Sequence, residues 1–259
     1  MLKPWLKEQQ PHSFWLVCAQ THEQALMSNG FAFEGAVPLF WGNTFKDVMT
    51  LSPWLIPVSD EVLALDDSLL NLGLGIVTTS SAITIQHLRS MLMSILDGEA
   101  VLFRFYDKVV IGPMLRAMMP SELQQFLGNI DGLAFVDDEL ITFARNPQSD
   151  FQLKKETWWK LQPHHLEPIY NTRHHAISLE KRCWQLIPDI LEQLDEPLQI
   201  IASALERGIE LGYPISELEA CAIVELVQQS NSDFSQLLEP FRLTEQELSL
   251  LKSIKEIWV

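Results

Sequence analysis

The hydrophobic pattern of this chain changes at Pro163, and that change constrains the fold more than any other feature. Before Pro163, short apolar runs alternate with helical patterns, whereas only helical patterns follow it. Alternating strands and helices are typical of βαβ units with a largely parallel sheet. The sequence therefore predicts an α/β lobe over residues 1–162, with a mostly parallel or mixed sheet, and an all-helical lobe over residues 163–259.

The spacing of apolar residues predicts the individual elements. Apolar runs predict strands at residues 14–18, 31–39, 54–58, 75–79 and 100–106. Residues 83–96 are predicted to form one helix, because apolar residues recur there at helical spacing. In the second lobe, two capping boxes are predicted to begin helices, one formed by Ser216 with Glu219 and one by Thr244 with Glu247.

The balance of charge limits the class of partner. The 259-residue chain has 34 acidic and 18 basic residues, which gives a formal net charge of −16. Such a chain repels nucleic acid and anionic lipid, so we expect neither a nucleic-acid nor a membrane partner. The negative charge serves either to keep the protein soluble or to attract a basic partner, and the sequence favours neither role over the other.

The cysteines indicate a reducing compartment. Cys18, Cys183 and Cys221 are far apart and form no CxxC pair, so they signal neither a disulfide framework nor a zinc site. Cys18 and His22 lack a third group that would orient a catalytic dyad, and a buried thiol is favoured. The first residues lack a signal-peptide core, and no apolar run reaches the roughly 18 residues that span a membrane. We therefore expect a cytoplasmic protein without a cofactor.

Residues 101–107, with the sequence VLFRFYD, alternate aromatic side chains with an arginine. As a strand, this segment would place Arg104 and Tyr106 on one face and its two phenylalanines on the other. A charge in so apolar a strand needs a carboxylate partner, for which Asp107 and Glu34 are candidates. Asp107 is also placed to cap a helix that follows it. Catalysis by Arg104 and Asp107 is disfavoured, because no nucleophile, metal ligand or glycine-rich loop lies nearby in the sequence.

Histidine and tryptophan doublets are the other candidate groups. Adjacent side chains point in different directions, so the doublets His164-His165 and His174-His175 chelate metal poorly, and exposed polar residues are favoured. The doublet Trp158-Trp159 offers either an outward indole that anchors a partner or two buried indoles. The structural or partner-binding candidates are Glu34, Arg104, Phe105, Tyr106, Asp107, Trp158 and Trp159.

Several short motifs, in this order, resemble the type VI secretion effector-chaperone family, which carries domain of unknown function 4123. They are EGA at residues 34–36, SPWL at 52–55, a strand and serine-rich turn at 75–81, HLR at 87–89 and FRFYD at 103–107. The resemblance covers about residues 14–135, and its central motif is the most specific part. Lys108 departs from the family, which usually has proline there, and this loses some preset backbone geometry in the turn.

The resemblance implies a cytoplasmic adaptor, not an enzyme. Such an adaptor binds a cognate toxic effector and helps load it onto the VgrG-type spike of the secretion apparatus. Two alternatives stay open: an immunity protein that neutralises a toxin, and a hydrolase that uses Arg104 and Asp107. Acidic proteins often neutralise basic toxins, which is the reason for the first alternative.

Overall fold

A computed structural model describes residues 1–155 and 157–258, and in it the chain divides into two units, Met1–Ile169 and Tyr170–Val259. The strands of the first unit are β1 (Ser13–Val17), β2 (Val37–Pro38), β3 (Trp54–Pro57), β4 (Leu74–Val77), β5 (Met93–Leu96), β6 (Glu99–Leu102), β7 (Gly132–Val136) and β8 (Leu140–Ala144). Its α-helices are α1 (Leu2–Glu8), α2 (Ala19–Asn29), α3 (Asp60–Ala64), α4 (Asp67–Leu70), α5 (Ser81–Met91), α6 (Lys108–Ala117), α7 (Pro120–Leu127) and α8 (Pro163–Leu166). Two 3-10 helices span Asn43–Leu51 and Glu167–Ile169.

The main sheet has the strand order β2-β3-β1-β4-β7-β8, and each of these pairings is antiparallel. The α/β character of the first unit is confirmed, but the expected parallel or mixed sheet is not. The reason lies in the position of β1, where Trp15 pairs with Ile56 of β3 and with Gly75 of β4. Because β1 lies between β3 and β4, these two parallel strands are never neighbours.

Helices cover both faces of this sheet. Successive side chains of β1 point to opposite faces, so neighbouring residues of this strand enter different cores. Leu16 enters a core with the aromatic residues that follow β6 and with α5, α6 and α7. Trp15 and Val17 enter the other core, with α1, α2 and α4. The Trp15 indole N–H donates to the carbonyl of Leu70 at 3.1 Å, so this large buried side chain has no unpaired polar atom.

The helix predicted over residues 83–96 and the strand predicted over residues 31–39 are shorter in the structure. The helix predicted over residues 83–96 ends at Met91, and the following residues form β5, which pairs with β6 in a separate two-stranded sheet. Ile95 N–H donates to the Trp159 carbonyl at 2.8 Å, so tertiary hydrogen bonds override the helical pattern. The strand predicted over residues 31–39 is reduced to Val37–Pro38, because Gly35 adopts a φ of 70° just before it.

The second unit is helical, as predicted. Its α-helices are α9 (Thr172–Leu186), α10 (Pro188–Leu191), α11 (Pro197–Glu210), α12 (Leu218–Gln229), α13 (Leu238–Phe241) and α14 (Glu245–Trp258), with 3-10 helices at Ile215–Glu217 and Phe234–Leu237. The Thr244–Glu247 capping box is confirmed by reciprocal bonds of 2.7 and 3.2 Å. The Ser216–Glu219 box is wrong, because Ser216 lies inside a 3-10 helix. Among the described residues, no helix is both long and apolar enough to cross a membrane.

Candidate functional site

The aromatic motif at residues 103–107 forms a turn rather than the end of a strand. β6 ends at Leu102, and the Asp107 N–H then donates to the Arg104 carbonyl at 3.0 Å. The predicted alternation between two faces is therefore wrong for this part of the motif. All three aromatic side chains enter the same core: Phe103, Phe105 and Tyr106.

Asp107 connects this turn to helix α6. One of its carboxylate oxygens accepts from the Val109 N–H at 3.0 Å, which confirms the predicted N-cap. The other oxygen accepts from the Arg104 guanidinium at 2.7 Å. The Arg104 side chain is 57% exposed, so the charge burial that the strand interpretation implied does not arise. Of the two expected carboxylates, Asp107 is the partner of Arg104, and Glu34 lies exposed in the loop before β2.

Lys108 has a role that the sequence pattern did not predict. Its ammonium group donates to the Asn71 carbonyl at 2.8 Å and to the Val136 carbonyl at 2.9 Å. These bonds join the first turn of α6 to the end of α4 and to β7. A proline at this position has no side-chain donor, so Lys108 replaces preset backbone geometry with two tertiary hydrogen bonds.

The tryptophan doublet packs against the core of the first unit, and residues 157–159 form no strand. Trp159 is buried and its ring stacks on His165 at a centroid distance of 5.8 Å. Trp158 is half-buried, and its indole N–H donates to the Ser90 hydroxyl at 3.0 Å. Both indoles therefore hold the long irregular segment against the unit that contains the sheet.

The first histidine doublet meets a carboxylate at the start of α7. Oxygen Oε2 of Glu122 lies 2.9 Å from His164 Nε2 and 3.1 Å from His165 Nε2, and it also accepts from the Met119 N–H at 2.8 Å. His165 is only 1% exposed, so the expectation of exposed polar residues is wrong for this histidine. Two imidazoles and one helix cap thus share a single carboxylate.

Three possible metal-binding atoms lie together here, but the tautomer of His165 opposes coordination. The Gln162 N–H donates to Nδ1 of His165 at 3.1 Å, which places the proton of a neutral ring on Nε2. A metal at Nε2 would require the opposite tautomer and would leave the Gln162 N–H facing a second donor. The geometry therefore fits a hydrogen-bonded cluster, in which His165 donates to Glu122.

The same contacts determine the ionisation of Glu122. Burial raises the pKa of this carboxyl, but hydrogen bonds from His164, the Met119 backbone and His165 outweigh burial and lower the pKa to about 2. Glu122 therefore stays ionised at neutral pH. Its negative charge holds α8 and the residues before it against α7.

The second histidine doublet divides between two environments within the second unit. His175 Nδ1 lies 2.7 Å from the Tyr170 hydroxyl, and its Nε2 lies 3.1 Å from Glu219. Glu219 also pairs with Arg182, so a partly exposed network joins α9 to α12. Burial raises the pKa of Glu219, but hydrogen bonds from Arg182 and His175 outweigh it and the pKa is lowered. His174 is exposed, as expected.

Cys18 and His22 are engaged separately rather than with each other. The Cys18 thiol lies 3.3 Å from the Thr21 hydroxyl. The His22 ring stacks on Trp54 at a centroid distance of 4.2 Å, and burial lowers the pKa of this histidine. The arrangement gives neither residue the orienting partner that nucleophilic catalysis needs.

Comparison with known proteins gives one family match. The profile of a domain of unknown function, DUF4123, matches residues 18–125, from the end of β1 into α7. This stretch contains the aromatic turn, the Asp107 cap and Glu122, and it ends before the histidine doublets. No curated protein and no solved structure matches the chain. Over residues 18–125, this chain is therefore similar to DUF4123.

Proposed function

We propose that this protein is an adaptor of bacterial type VI secretion, which binds a cognate toxic effector in the cytoplasm and helps load it onto a VgrG-type spike. The observation that carries the proposal is the similarity to DUF4123 over residues 18–125, because the resemblance to the effector-chaperone family lies in that domain. In this proposal the chain acts by binding alone, without a cofactor.

The roles of Arg104 and Asp107 favour binding over hydrolysis. Asp107 caps a helix with one oxygen and pairs with Arg104 through the other. Neither group therefore has a free acid or base function aimed at a substrate. This arrangement supports a structural role for the most specific family motif, and it weakens the hydrolase alternative.

Copurification with the candidate partners tests the proposal directly. The tagged full chain is expressed with the effector encoded beside its gene, and separately with the spike protein. We expect the effector to copurify with the chain, to accumulate to a higher level in its presence, and to reach the spike only when the chain is there. An effector from an unrelated secretion cluster is the control. Absence of binding to both effector and spike would overturn the proposal.

The charge of the chain favours one second candidate, an immunity protein. A net charge of −16 suits an inhibitor of a basic toxin. Coexpression of the toxic effector in the cytoplasm separates the two functions. An immunity protein restores growth, whereas an adaptor raises the level or export of the effector without protecting the cell.

A further inference from the structure

The 3-10 helix Asn43–Leu51 lies on the surface of the first unit without a single buried residue. Its nine residues form two short helical turns, because the backbone of Val48, with a φ of −126° and a ψ of 18°, is not helical and separates them. Val48, Met49 and Leu51 are exposed, with Leu51 62% exposed. Phe45 is only partly buried, so the segment as a whole contributes little to folding by burial.

Neighbouring elements add further exposed apolar side chains. Helix α2 packs against the 3-10 helix, and Met27 on α2 is 75% exposed. Trp41, just before the 3-10 helix, is 70% exposed. We define the apolar surface by six exposed residues within 25 positions of sequence: Met27, Phe31, Trp41, Val48, Met49 and Leu51. Exposed apolar residues on elements that contact one another mark a binding site more often than scattered single residues do.

Specific contacts hold this surface in place. Arg89 donates to the Pro38 carbonyl at 2.9 Å and to the Leu39 carbonyl at 3.2 Å, and its guanidinium lies 5.0 Å from the Trp41 ring. Phe45 turns inward and stacks on Phe40 at 4.4 Å. The exposed side chains are therefore presented on a fixed backbone, which lowers the ordering entropy that a partner must overcome.

The surrounding charge indicates what covers the apolar surface. The whole chain has a formal net charge of −16. Two basic residues accompany the apolar surface, Lys46 on the 3-10 helix and Arg89 over the Trp41 ring. Glu23, Glu34 and Asp47 are exposed on the same elements as the apolar residues or between them. A second copy of this chain would bring together two chains that each have a net charge of −16, which is unfavourable. A segment with apolar and basic side chains matches both properties.

We propose that the apolar surface binds an amphipathic, basic segment of a partner protein. Its apolar side chains pack against Met27, Trp41 and Met49, and its lysine or arginine residues face the surrounding carboxylates. This inference deepens the proposed function, on which it rests for the identity of the partner as the effector. The chemistry of the segment follows from the surface alone.

Two matched double variants of the full chain test the proposal. Met27→Asp with Met49→Asp changes the apolar surface, and Leu102→Asp with Val109→Asp changes two other exposed apolar residues as the control. Thermal unfolding of each variant confirms that it folds. For the copurified effector, we expect about a tenfold rise in Kd for the first variant and less than about twofold for the control. We also expect wild-type affinity to fall as salt concentration rises.

A synthetic probe separates failure of this inference from failure of the proposed function. The probe is an amphipathic helical peptide of leucine and lysine, compared with the same peptide carrying glutamate for lysine. We expect the wild-type chain to bind only the lysine peptide, and the Met27/Met49 variant to bind it less tightly. If the lysine peptide bound by charge alone, it would instead bind the Met27/Met49 variant more tightly, because this variant gains two carboxylates.

The outcomes are distinct. If the effector binds the wild type and the Met27/Met49 variant equally, the proposed function stands and the assigned surface is wrong. If binding does not depend on salt, the basic character of the segment is wrong. If the effector does not bind but the lysine peptide does so through the surface, the adaptor role fails and the surface assignment stands.

Discussion

His165 is hydrogen-bonded at both ring nitrogens, with Nδ1 accepting from the Gln162 N–H at 3.1 Å and Nε2 lying 3.1 Å from Glu122. Its ring is buried between this carboxylate and the Trp159 indole. Glu122 thus connects α7 to a segment more than 40 residues further along the chain. The stability of the first unit should depend on this one carboxylate.

Substitution of Glu122 tests that dependence. Glu122→Ala removes the acceptor for His164, His165 and the Met119 N–H, and it leaves the buried Nε2–H of His165 without a partner. We expect the free energy of unfolding to fall by about 2 kcal/mol, measured by urea denaturation. Glu139→Ala changes an exposed carboxylate and serves as the control, with a change within about 0.5 kcal/mol. Equal effects of the two substitutions would contradict the proposed linkage.

Glu122 should also make stability depend on pH. Its pKa is about 2 in the folded protein and 4.5 ordinarily, so the folded state binds fewer protons. The stabilisation is complete above the ordinary pKa and is lost as the pH falls from about 4.5 towards 2. Urea denaturation at about pH 6 and about pH 3 should therefore show a larger loss for the wild type than for Glu122→Gln. The prediction fails if both proteins lose the same stability.

Asp107 should act on stability mainly through its cap. Asp107→Ala removes the acceptor of the Val109 N–H, and we expect a loss of about 1 kcal/mol in thermal or urea unfolding. Asp107→Asn keeps a capping oxygen and should lose less. Arg104→Ala removes only an exposed ion pair and should change stability by less than about 0.5 kcal/mol. A larger effect of Arg104→Ala than of Asp107→Ala would show that the ion pair matters more than the cap.

Gly208 should resist a substitution that normally stabilises helices. A Cβ atom at this position in α11 would lie 2.7 Å from Leu218 Cδ2 and 3.3 Å from Cys221 Sγ. Although alanine is the better helix former, we expect Gly208→Ala to destabilise the protein by about 1–3 kcal/mol through overpacking. Ser203→Ala, at an exposed position of the same helix, is the matched control and should be close to neutral. A stabilised Gly208→Ala protein would refute close packing of α11 on α12.

The three thiols should react at different rates. Burial raises the pKa of Cys183 to about 12 and that of Cys221 to about 11, whereas Cys18 is only half-buried. We expect one fast-reacting thiol with a thiol reagent at about pH 8, and its loss in Cys18→Ser. In urea all three thiols should react, which confirms that burial protects the other two. Retention of the fast reaction in Cys18→Ser would disprove the assignment.

Of the three helix starts predicted from local patterns, two are confirmed, whereas the Ser216–Glu219 box is wrong. The Asp107 cap and the Thr244–Glu247 box each depend on residues within one helical turn, and both are confirmed. The order of strands could not be predicted in this way, because the pairing of Trp15 with both Ile56 and Gly75 depends on distant segments. The alternation of strands and helices along the chain does not determine which strands are neighbours in the sheet. A strand such as β1 can lie between two others, and the neighbours are then antiparallel.

The misassigned segments share a physical cause. Residues 103–106 have the composition of a strand, but the chain turns there because the aromatic side chains and the Asp107 N–H find partners in the core and at Arg104. The burial of His165 could not be predicted from the residues next to it in sequence, because its partner Glu122 is 43 residues away. Glu122 stands at the third position of α7, where a carboxylate often caps a helix, and this pattern could have indicated one member of the cluster.

The central place of β1 has a consequence for synthesis on the ribosome. β1 emerges first, and β3 and β4 then find it already present, as β7 finds β4 and β8 finds β7. β1 itself and β2, at the edge, must wait for a later strand. The sheet can therefore grow in the order of translation, so each new strand from β3 onward can pair along one edge with a strand that is already present, which leaves one edge rather than two open to intermolecular pairing.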